Sequence, residues 1–349
     1  MKNKLITILF YLLFFLILSQ CSVRRYVVEE EKLSIVDSYY SNVPIRDISK
    51  YLKKAESYVK FISSICYYKG YVLSERLKIS EREARLIDLQ KFAEREIFFN
   101  RTSSGTAVVL YSDIEKALLL TCAHVINFPD TILSYYYIES GKKNVVESVG
   151  FRIKQEFYIS NIPDYDSIEV ILYDRNLDIA FILVHLKSDK ITSIIPSLEF
   201  PFGDSDKLAI GNFIYLIGYP SGFKLVTKGI IGSIKSDKSG EIIVDAPFNR
   251  GASGSIVLAI NSITSVVEIV GIARSSAADF LQYLAPERGS GFESAESLTP
   301  YRGEIYISRY SSIKYGITQV VPINAIRNYI RNNRSLFNKY RINIDNIKM

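Results

Sequence analysis

Short apolar runs separated by turn residues dominate the chain from about residue 103 onward. Runs rich in Val, Ile, Leu and Tyr alternate with clusters of Gly, Asn, Asp and Pro, and examples are GTAVVLY, ALLLTCAHV, IEVILYD, DIAFILVHL, FIYLIGYP, EIIVDAP and SIVLAI. This pattern is typical of β-strands joined by turns. Helical crossovers do not separate the runs, which argues against a parallel α/β sheet. We therefore predict an all-β barrel or sandwich.

Two segments ahead of these strands have the spacing of helices. Apolar residues recur at steps of three and four within residues 45–60, and they are Ile45, Ile48, Leu52, Ala55 and Val59. This spacing predicts an amphipathic helix. After a β-rich stretch at 61–73, residues 75–98 return to helical spacing with many Glu and Arg. We predict a helical insertion between two strands there.

The C-terminal part breaks the strand pattern. Residues 276–315 include a Gly, Ser and Glu-rich stretch, and we expect a long surface loop. Residues 322–331 predict a short helix that docks on the strands through Ile323, Ile326 and Ile330. The last residues are basic, and we expect a solvated tail.

The N-terminus has the pattern of an export signal. Lys2 and Lys4 precede a nearly unbroken apolar run, Leu5 to Leu18. Its roughly 14 residues would form about 21 Å of helix, short of the roughly 30 Å hydrocarbon core of a membrane. The following Ser19-Gln20-Cys21 resembles the lipobox of bacterial lipoproteins, in which the cysteine is lipidated, although Gln20 departs from the usual small residue. We expect an exported, lipid-anchored envelope protein; simple secretion and an uncleaved anchor are the alternatives.

Composition limits the partners and the stabilising chemistry. The 349 residues include 48% hydrophobic residues, enough for a packed core without covalent links. The net charge is +6, without basic runs interleaved with aromatics, so we expect no nucleic-acid partner. Apart from Cys21, the cysteines are Cys66 and Cys122, too few for a disulfide framework and without zinc spacing. We expect two buried thiols, with one bridge as the alternative.

The chain has two histidines, the usual general base near neutral pH. His124 ends the run ALLLTCAHV, where the chain turns out of the core and an imidazole can reach a cleft. His185 lies in DIAFILVHL without a nucleophile motif nearby, and we expect it at the surface. His124 is therefore the candidate base, with a hydrogen-bonded core histidine as the alternative.

A serine nucleophile needs a base and backbone N–H groups that stabilise the oxyanion formed after attack. In NRGASGSIVL, Gly251 and Gly254 flank Ser253 and allow a tight turn that directs the amides of Gly251 and Ser253 to one point. A Gly-x-Ser-Gly sequence also occurs in ordinary turns. The segment predicts Ser253 as a candidate nucleophile.

The third candidate is a carboxylate that orients the histidine. Asp178 heads an apolar strand after the turn-forming stretch DRNLD and can hold the imidazole tautomer through an accepted hydrogen bond. Asp166 and Asp174 compete for this role, but they lie earlier, where solvation or turn capping is expected.

Together, TCAHV, DIAFILV and GASGS, in the order His, Asp, Ser, resemble the signatures of trypsin-like serine peptidases, most closely the HtrA-like branch. The segments IGYPSGFKLVTKGIIGSIKS, VDAPFNRGASGSIVL, IVGIA and GITQVVPINAIRNYI resemble further parts of that branch. Ser255 stands where many relatives have a second Gly. The resemblance covers roughly residues 55–332. It implies two six-stranded antiparallel β-barrels with a helical N-terminal insertion and a C-terminal helix.

This resemblance suggests a division of the chain. The expected parts are a signal segment with its lipobox (1–21), a tether and helix (22–54), a trypsin-like peptidase domain (55–332) and a basic tail (333–349). Because the chain ends soon after the predicted terminal helix, we expect no PDZ domain. HtrA-like proteins are often trimers, so a homo-oligomer stays open.

The resemblance implies a serine endopeptidase acting on polypeptide substrates without a metal or organic cofactor, with envelope protein quality control or processing as its setting. His124, Asp178 and Ser253 would form the triad, and the amides of Gly251 and Ser253 the oxyanion hole. One strand would pair with an extended substrate through main-chain hydrogen bonds, at Gly271, Ile272, Ala273 and Arg274.

The specificity pocket is expected between residues 247–250 and 272–275. We find no acid placed there for a basic side chain, so we expect a preference for small or aliphatic side chains. Arg274 leaves an acidic preference open, the alternative being an arginine that points into solvent. The alternative function is a catalytically silent lipoprotein of this fold that binds unfolded or partner polypeptides.

Overall fold

Antiparallel strands form the framework of the protein. The computed structural model describes residues 39–40, 47–136, 145–162, 164–187, 194–234, 241–286 and 305–349, which fall in one compact unit, Asp37–Met349. A seven-stranded sheet comes first along the chain and a closed six-stranded barrel follows. The predicted all-β class is confirmed. Residues 1–38, with the predicted signal, Cys21 and most of the tether, lie outside the described residues.

The first sheet has the strand order β4-β5-β1-β2-β3-β7-β6. Its strands are β1 (Val59–Leu73), β2 (Ala93–Ser112), β3 (Lys116–Thr121), β4 (Thr131–Tyr135), β5 (Val146–Ile159), β6 (Tyr165–Asp174) and β7 (Ile179–Leu186). β1 alternates buried and partly exposed residues because one face packs on the core. β3 and β7 are buried nearly throughout, which explains their continuous apolar sequences.

The second sheet is the closed barrel, with the order β10-β13-β12-β11-β8-β9. Its strands are β8 (Phe213–Gly218), β9 (Leu225–Ile234), β10 (Ile242–Asp245), β11 (Ile256–Ile260), β12 (Val267–Pro286) and β13 (Ile305–Pro322). Of the two expected six-stranded barrels, the second is thus found as such. The first half has a seventh strand because β4 adds to the outer edge of β5, and β4 and β6 are its two edges.

The helices of the described residues are short. They are α1 (Ser49–Tyr58), α2 (Glu81–Ala84), α3 (Leu89–Phe92), α4 (Ala123–Ile126), α5 (Ile323–Asn332) and α6 (Arg334–Lys339). The helix predicted within 45–60 is α1, and the docking helix is α5. Over the described residues, the helices lack the length and apolar character needed to span a bilayer.

The helical insertion predicted at 75–98 is correct only in part. The segment does lie between β1 and β2, but it contains a single 3-10 turn and the four-residue helices α2 and α3, and β2 begins at Ala93. Its buried apolar residues come from different parts of the segment and do not form one helix face. They are Ile79, Ala84 and Leu89, and they pack against Leu73, Val146 and Val149. A capping box between Ser80 and Glu83 starts α2.

Two C-terminal predictions are wrong. Much of the expected loop at 276–315 is an antiparallel ribbon, because β12 and β13 continue to pair from Ala278↔Ile313 to Pro286↔Ile305. The Gly, Ser and Glu-rich composition belongs mainly to residues 287–304, and β-prone sequences flank it. The expected solvated tail also packs into the core through four apolar residues, Phe337, Ile342, Ile344 and Ile347. Basic residues between them obscure this apolar set in the sequence.

Among the described residues, four apolar clusters are buried, and the two largest pack the strands together. The larger one joins β3, β7, β11, α5 and the C-terminal residues, with members such as Leu119, Ile182, Leu258 and Ile326. The smaller one fills the closed barrel. Because the larger core contains residues from both sheets, it fixes the two halves against each other, and the candidate site lies at this junction.

Candidate active site

Three loops carry the predicted catalytic residues to one place. His124 lies on α4, directly after β3, and Asp178 lies in the turn between β6 and β7, so both come from the first sheet. Ser253 lies in the loop between β10 and β11 of the barrel. A site built from these residues therefore depends on the packing of the two sheets.

The three side chains form a continuous hydrogen-bonded chain. Ser253 Oγ lies 2.8 Å from His124 Nε2, and His124 Nδ1 lies 2.7 Å from Asp178 Oδ2. A carboxylate accepts hydrogen bonds only, so Nδ1–H is the donor, and Nε2 is left to accept the proton of the serine. This is the arrangement that a serine hydroxyl needs to act as a nucleophile.

Asp178 is held in a constrained position. Its φ of +57° places it in the left-handed region, which is uncommon for a residue other than Gly. Its second oxygen, Oδ1, accepts a hydrogen bond from the backbone N–H of His124 at 2.9 Å. The carboxylate thus binds both the ring and the backbone of His124. Strain of this kind is concentrated at functional sites.

The competing carboxylates have other roles. Asp174 Oδ1 accepts hydrogen bonds from the backbone amides of Asn176 and Leu177 at 2.7 and 2.9 Å, which caps the turn before Asp178. Asp166 is exposed on β6. His185 lies near the end of β7, 3.8 Å from Glu169, with 41% of its side chain exposed. These placements match the sequence-based expectations.

The exposure of the triad suits a reaction with an external substrate. The side chain of His124 is 45% exposed and that of Asp178 is 19% exposed. Ser253 is 7% exposed as a residue, with its hydroxyl on the ring of His124. The base is therefore accessible from solvent, whereas its carboxylate partner is largely shielded from water.

The loop around Ser253 is shaped by two glycines. Gly251 has a φ of +95° and Gly254 a φ of +90°. A Cβ on Gly251 would lie 2.3 Å from the carbonyl oxygen of Tyr219, and one on Gly254 would lie 1.9 Å from that of Thr106. Both positions require Gly on two counts, conformation and space.

The predicted oxyanion donors are available. The amides of Gly251 and Ser253 donate to no acceptor among the described residues, whereas the neighbouring amides of Ala252 and Gly254 donate to the carbonyls of Asn249 and Ala273. Buried amides without a partner are rare in folded proteins. Two such amides on either side of Ala252 are suited to an anion that forms beside Ser253.

The substrate-pairing strand was predicted at the wrong register. Gly271 pairs with Val257 and Pro322, Ile272 pairs with Ile256 and Val321, and the amide and carbonyl of Ala273 bind Ser255 and Gly254. A strand with neighbours on both sides has no free main-chain groups for a peptide. Within the described part of the chain, the edge of β12 that faces away from β13 is unpaired from Arg274 onward.

Arg274 does not point freely into solvent. Its Nη2 lies 2.5 Å from Oε1 of Glu241, whose side chain is 7% exposed, and its Nη1 lies 3.5 Å from the carbonyl oxygen of Asn176. The guanidinium thus reaches from the barrel to the turn that carries Asp178. Glu241 neutralises the charge of Arg274. Arg274 therefore does not support a preference for acidic substrate side chains.

Glu241 was missed by the sequence reasoning. It precedes the apolar run of β10 and is buried beside Arg274. A carboxylate directly before a buried strand is the one local signal that could have indicated it. Its pairing with Arg274 could not be read from the sequence, because 33 residues separate the two.

Cys66 and Cys122 are free and buried, which confirms the predicted thiols. Burial, and then the negative charge of Asp178, raise the pKa of the Cys122 thiol. Its Sγ lies 3.4 Å from the carbonyl oxygen of Ala273. The potential ligand atoms of Cys122, His124 and Asp178 lie within 4.8 Å of one another. A protonated thiol and a His–Asp pair already bonded to each other are poor metal ligands, so we assign no metal to this group.

Comparison with known proteins supports a trypsin-like peptidase domain. Residues 105–267 match the family model described as trypsin-like peptidase domain, and this range contains all three triad residues. A curated relative from Haemophilus influenzae, named "Probable periplasmic serine protease do/HhoA-like", is 35% identical over 176 residues. The alignment covers 48% of this chain and 30% of the relative, so the chain spans less than a third of that protein's length.

Two solved structures give weaker matches. The crystal structure of Deg5 has a TM-score of 0.35 and 15% identity, over 65% of this chain and 83% of that one. The inactive form of the Rv3671c protease also has a TM-score of 0.35, with 13% identity over 81% and 92% of the two chains. These superpositions add nothing to the assignment, which rests on the family model and the curated relative. Residues 105–267, just under half of this chain, thus match a trypsin-like peptidase domain.

Proposed function

We propose that this protein is a serine endopeptidase that hydrolyses peptide bonds in proteins through His124, Asp178 and Ser253. The observation that carries the proposal is the continuous hydrogen-bonded chain from Ser253 Oγ through both ring nitrogens of His124 to Asp178. Each residue has the chemical role that the geometry allows, and the two unbonded amides of Gly251 and Ser253 complete the set.

The reaction begins with attack of Ser253 Oγ on the carbonyl carbon of the scissile bond. Nε2 of His124 takes the hydroxyl proton as the new C–O bond forms, and the resulting oxyanion binds the amides of Gly251 and Ser253. The same proton then passes to the leaving amine as the C–N bond breaks. A water molecule then gives a proton to His124 and attacks the acyl carbon. As the bond between that carbon and Ser253 Oγ breaks, His124 returns the proton to Oγ and the carboxylic product leaves.

Asp178 contributes by holding the imidazolium that forms during both steps. Its bond to Nδ1–H keeps the proton on Nδ1 in the resting state, so that Nε2 is free to act as the base. The additional bond from the backbone amide of His124 fixes the carboxylate relative to the helix that carries the ring. Neither step needs a metal or an organic cofactor.

The substrates we propose are extended polypeptides. An extended chain can pair with the edge of β12 from Arg274 onward, where main-chain groups are free in the described part of the strand. The expectation of small or aliphatic side chains next to the scissile bond is kept as part of the proposal. The neutralised charge of Arg274 supports it over an acidic preference.

We further propose a location in the cell envelope, with a role in protein quality control or processing. The support is the export-type N-terminus with its lipobox-like Cys21, together with the name of the relative, which describes a periplasmic protease. Metabolic labelling with a palmitate analogue tests the anchor. Labelling of the wild type that is lost in Cys21→Ser supports it, and equal labelling of both overturns it.

A fluorophosphonate probe, which phosphonylates an activated serine, tests the catalytic proposal. We expect labelling of the wild type, none in Ser253→Ala, and strongly reduced labelling in His124→Ala. His185→Ala is the matched control, because it removes the other histidine outside the site, and its labelling should equal that of the wild type.

Hydrolysis of an unfolded protein such as casein gives the second readout. Turnover that disappears in Ser253→Ala supports an endopeptidase. A wild-type protein that is folded by circular dichroism but is neither labelled nor active would overturn the proposal, and binding of casein by that protein would support the silent-binder alternative.

A further inference from the structure

Thr106 is a residue of β2 in the first sheet. Its side chain contacts the oxyanion loop, which is the loop of residues 246–255 between β10 and β11 of the barrel. Thr106 is fully buried. Its hydroxyl lies 2.9 Å from the backbone nitrogen of Tyr219 and 2.8 Å from the carbonyl oxygen of Gly251. An N–H can only donate, so the hydroxyl accepts from Tyr219 and directs its own proton to Gly251. The direction of both hydrogen bonds is thereby fixed.

The backbone of Thr106 is bound to the same loop. Its N–H donates to the carbonyl of Ser253 at 2.7 Å, and its carbonyl accepts from Oγ1 of Thr121 at 2.7 Å. Thr106 therefore binds the carbonyls of Gly251 and Ser253, which lie on the two sides of Ala252. It has little freedom to move away from the loop.

The peptide between Arg250 and Gly251 is oriented by the turn at 219–222. The carbonyl oxygen of Arg250 accepts a hydrogen bond from the amide of Ser221 at 2.6 Å. The described chain has no cis peptide bonds, and in a trans peptide the N–H points opposite to the C=O. The amide of Gly251 must then point away from Ser221.

We propose that Thr106 is a positioning residue that keeps the oxyanion hole in its donating conformation; this inference rests on the endopeptidase function proposed above. Its hydroxyl ties the carbonyl of Gly251 to the amide of Tyr219 and so connects the loop with the turn that binds Arg250. Release of this link frees the peptide between Arg250 and Gly251 to rotate, and its amide then leaves the position of the developing oxyanion.

A hydroxyl group is required at this place because it must accept one hydrogen bond and donate another. Serine has the same ability, whereas valine has the shape of threonine without it. Loss of the hydroxyl leaves the Gly251 carbonyl and the Tyr219 amide without their partner. Since oxyanion donors act mainly in the transition state, the loss should appear in kcat and not in substrate binding.

The test compares Thr106→Val with Thr106→Ser in steady-state hydrolysis of a fluorogenic peptide. A donor displaced by about 1 Å costs roughly 10²-fold in rate, so we expect kcat of Thr106→Val to fall by roughly that factor. We expect KM to stay within about threefold, and Thr106→Ser to recover most of kcat. A peptide boronate, which mimics the tetrahedral species, should bind Thr106→Val more weakly in proportion to the loss of kcat/KM.

A general loss of structure would give a different result. Thr318→Val is the matched control, because Thr318 is also fully buried and its hydroxyl also binds a backbone carbonyl, that of Ala246. It should lower the melting temperature without lowering kcat. If Thr106→Val does not fold, Thr106→Ala removes the same hydroxyl without added bulk and carries the test.

Two outcomes overturn the inference. A folded Thr106→Val or Thr106→Ala with kcat within about threefold of an active wild type would show that the hydroxyl does not position the loop, and would leave the endopeptidase proposal intact. A wild type no faster than Ser253→Ala would overturn both the function and the positioning role. The wild-type rate therefore separates the two failures.

Discussion

The side chain of Ser255 occupies the space that Gly218 leaves by having no Cβ. A Cβ on Gly218 would lie 1.8 Å from Ser255 Oγ and 2.7 Å from Ser255 Cβ. Ser255 Oγ in turn donates a hydrogen bond to the carbonyl of Ala252 in the oxyanion loop at 2.6 Å. The side chain of Ser255 is thus accommodated by a glycine at the end of β8.

This relationship predicts a coupled pair of substitutions. Gly218→Ala should destabilise the protein by about 3 kcal/mol, because the added methyl group overlaps Ser255 in a packed site. Gly218→Ala combined with Ser255→Gly should recover part of this loss, since the overlapping atoms of Ser255 are gone and Thr106 Oγ1, 2.8 Å from the added Cβ, remains too close. Urea denaturation of both single variants and the double variant measures the coupling. Additive losses would show that the two positions do not interact.

The oxyanion loop should not tolerate a side chain at residue 251. Gly251→Ala places a Cβ 2.3 Å from the carbonyl oxygen of Tyr219 in a left-handed conformation, and should lower kcat by about 10²- to 10³-fold. Gly211→Ala is the control. Gly211 has a similar φ of +89°, but a Cβ there would meet nothing within 4 Å. The variant Gly211→Ala should lose stability through backbone strain and keep its kcat. Equal losses of activity in Gly211→Ala and Gly251→Ala would contradict a specific role of residue 251 in the oxyanion loop.

Arg274 and Glu241 should behave as a structural ion pair. Arg274→Met removes the guanidinium from the buried carboxylate of Glu241 and should cost about 1–3 kcal/mol of unfolding free energy. Adding Glu241→Gln removes the carboxylate charge and should restore part of it. The ratio of kcat/KM for substrates with Glu and Ala beside the scissile bond should stay constant. A selective loss of cleavage after Glu in Arg274→Met would assign a substrate-binding role to Arg274 instead.

The C-terminal residues should be part of the folded unit. Phe337→Ala removes a fully buried ring that packs edge-to-face on Phe181, with ring centroids 5.3 Å apart, and should cost about 3–5 kcal/mol. Lys339→Ala, on the exposed side of the same helix, should change stability by about 0.5 kcal/mol or less. Thermal melts compare the two. Equal melting temperatures would mean that this segment does not contribute to the core.

Cys122 should be resistant to alkylation in the native protein. Its pKa is raised by burial, so at pH 8 the thiol stays protonated, and the reactive thiolate is absent. The pKa of the Cys122 thiol is higher in the folded state than in the unfolded state. The fold therefore has the full contribution of this group below the unfolded-state pKa, and it loses that contribution as the pH rises from there through the folded-state pKa. Peptide mapping after iodoacetamide treatment should show Cys122 modified in urea only. Rapid native modification would contradict the described burial.

Local sequence was sufficient for the chemistry of the triad. His124, Asp178 and Ser253 each stand at a boundary between an apolar run and turn residues, and their order along the chain is visible in the sequence. Gly251 and Gly254 were likewise readable, because a tight turn around a nucleophile requires residues that accept positive φ. These features depend on neighbours a few positions away.

The register of the substrate strand could not be obtained in this way. The sequence around Gly271 has the same β-prone character before and after Arg274, and only the pairing with β11 and β13 shows which main-chain groups are already used. The ribbon at 276–315 and the buried C-terminus were missed for a related reason. Average composition across each segment hides the few residues that pair or pack.

The sequence by itself determined the all-β class, the three candidate catalytic residues and the glycines of the oxyanion loop, because each depends on residue type and local backbone preference. The tertiary structure alone decided the roles of Thr106, Ser221 and Glu241. Thr106 and Gly251 are 145 residues apart, and in sequence Thr106 is one more β-branched residue in a strand. Its hydroxyl reaches Gly251 only when the packed cores bring the two sheets together. A hydrogen bond requires contact in space, and the sequence contains no periodic pattern that indicates such a contact.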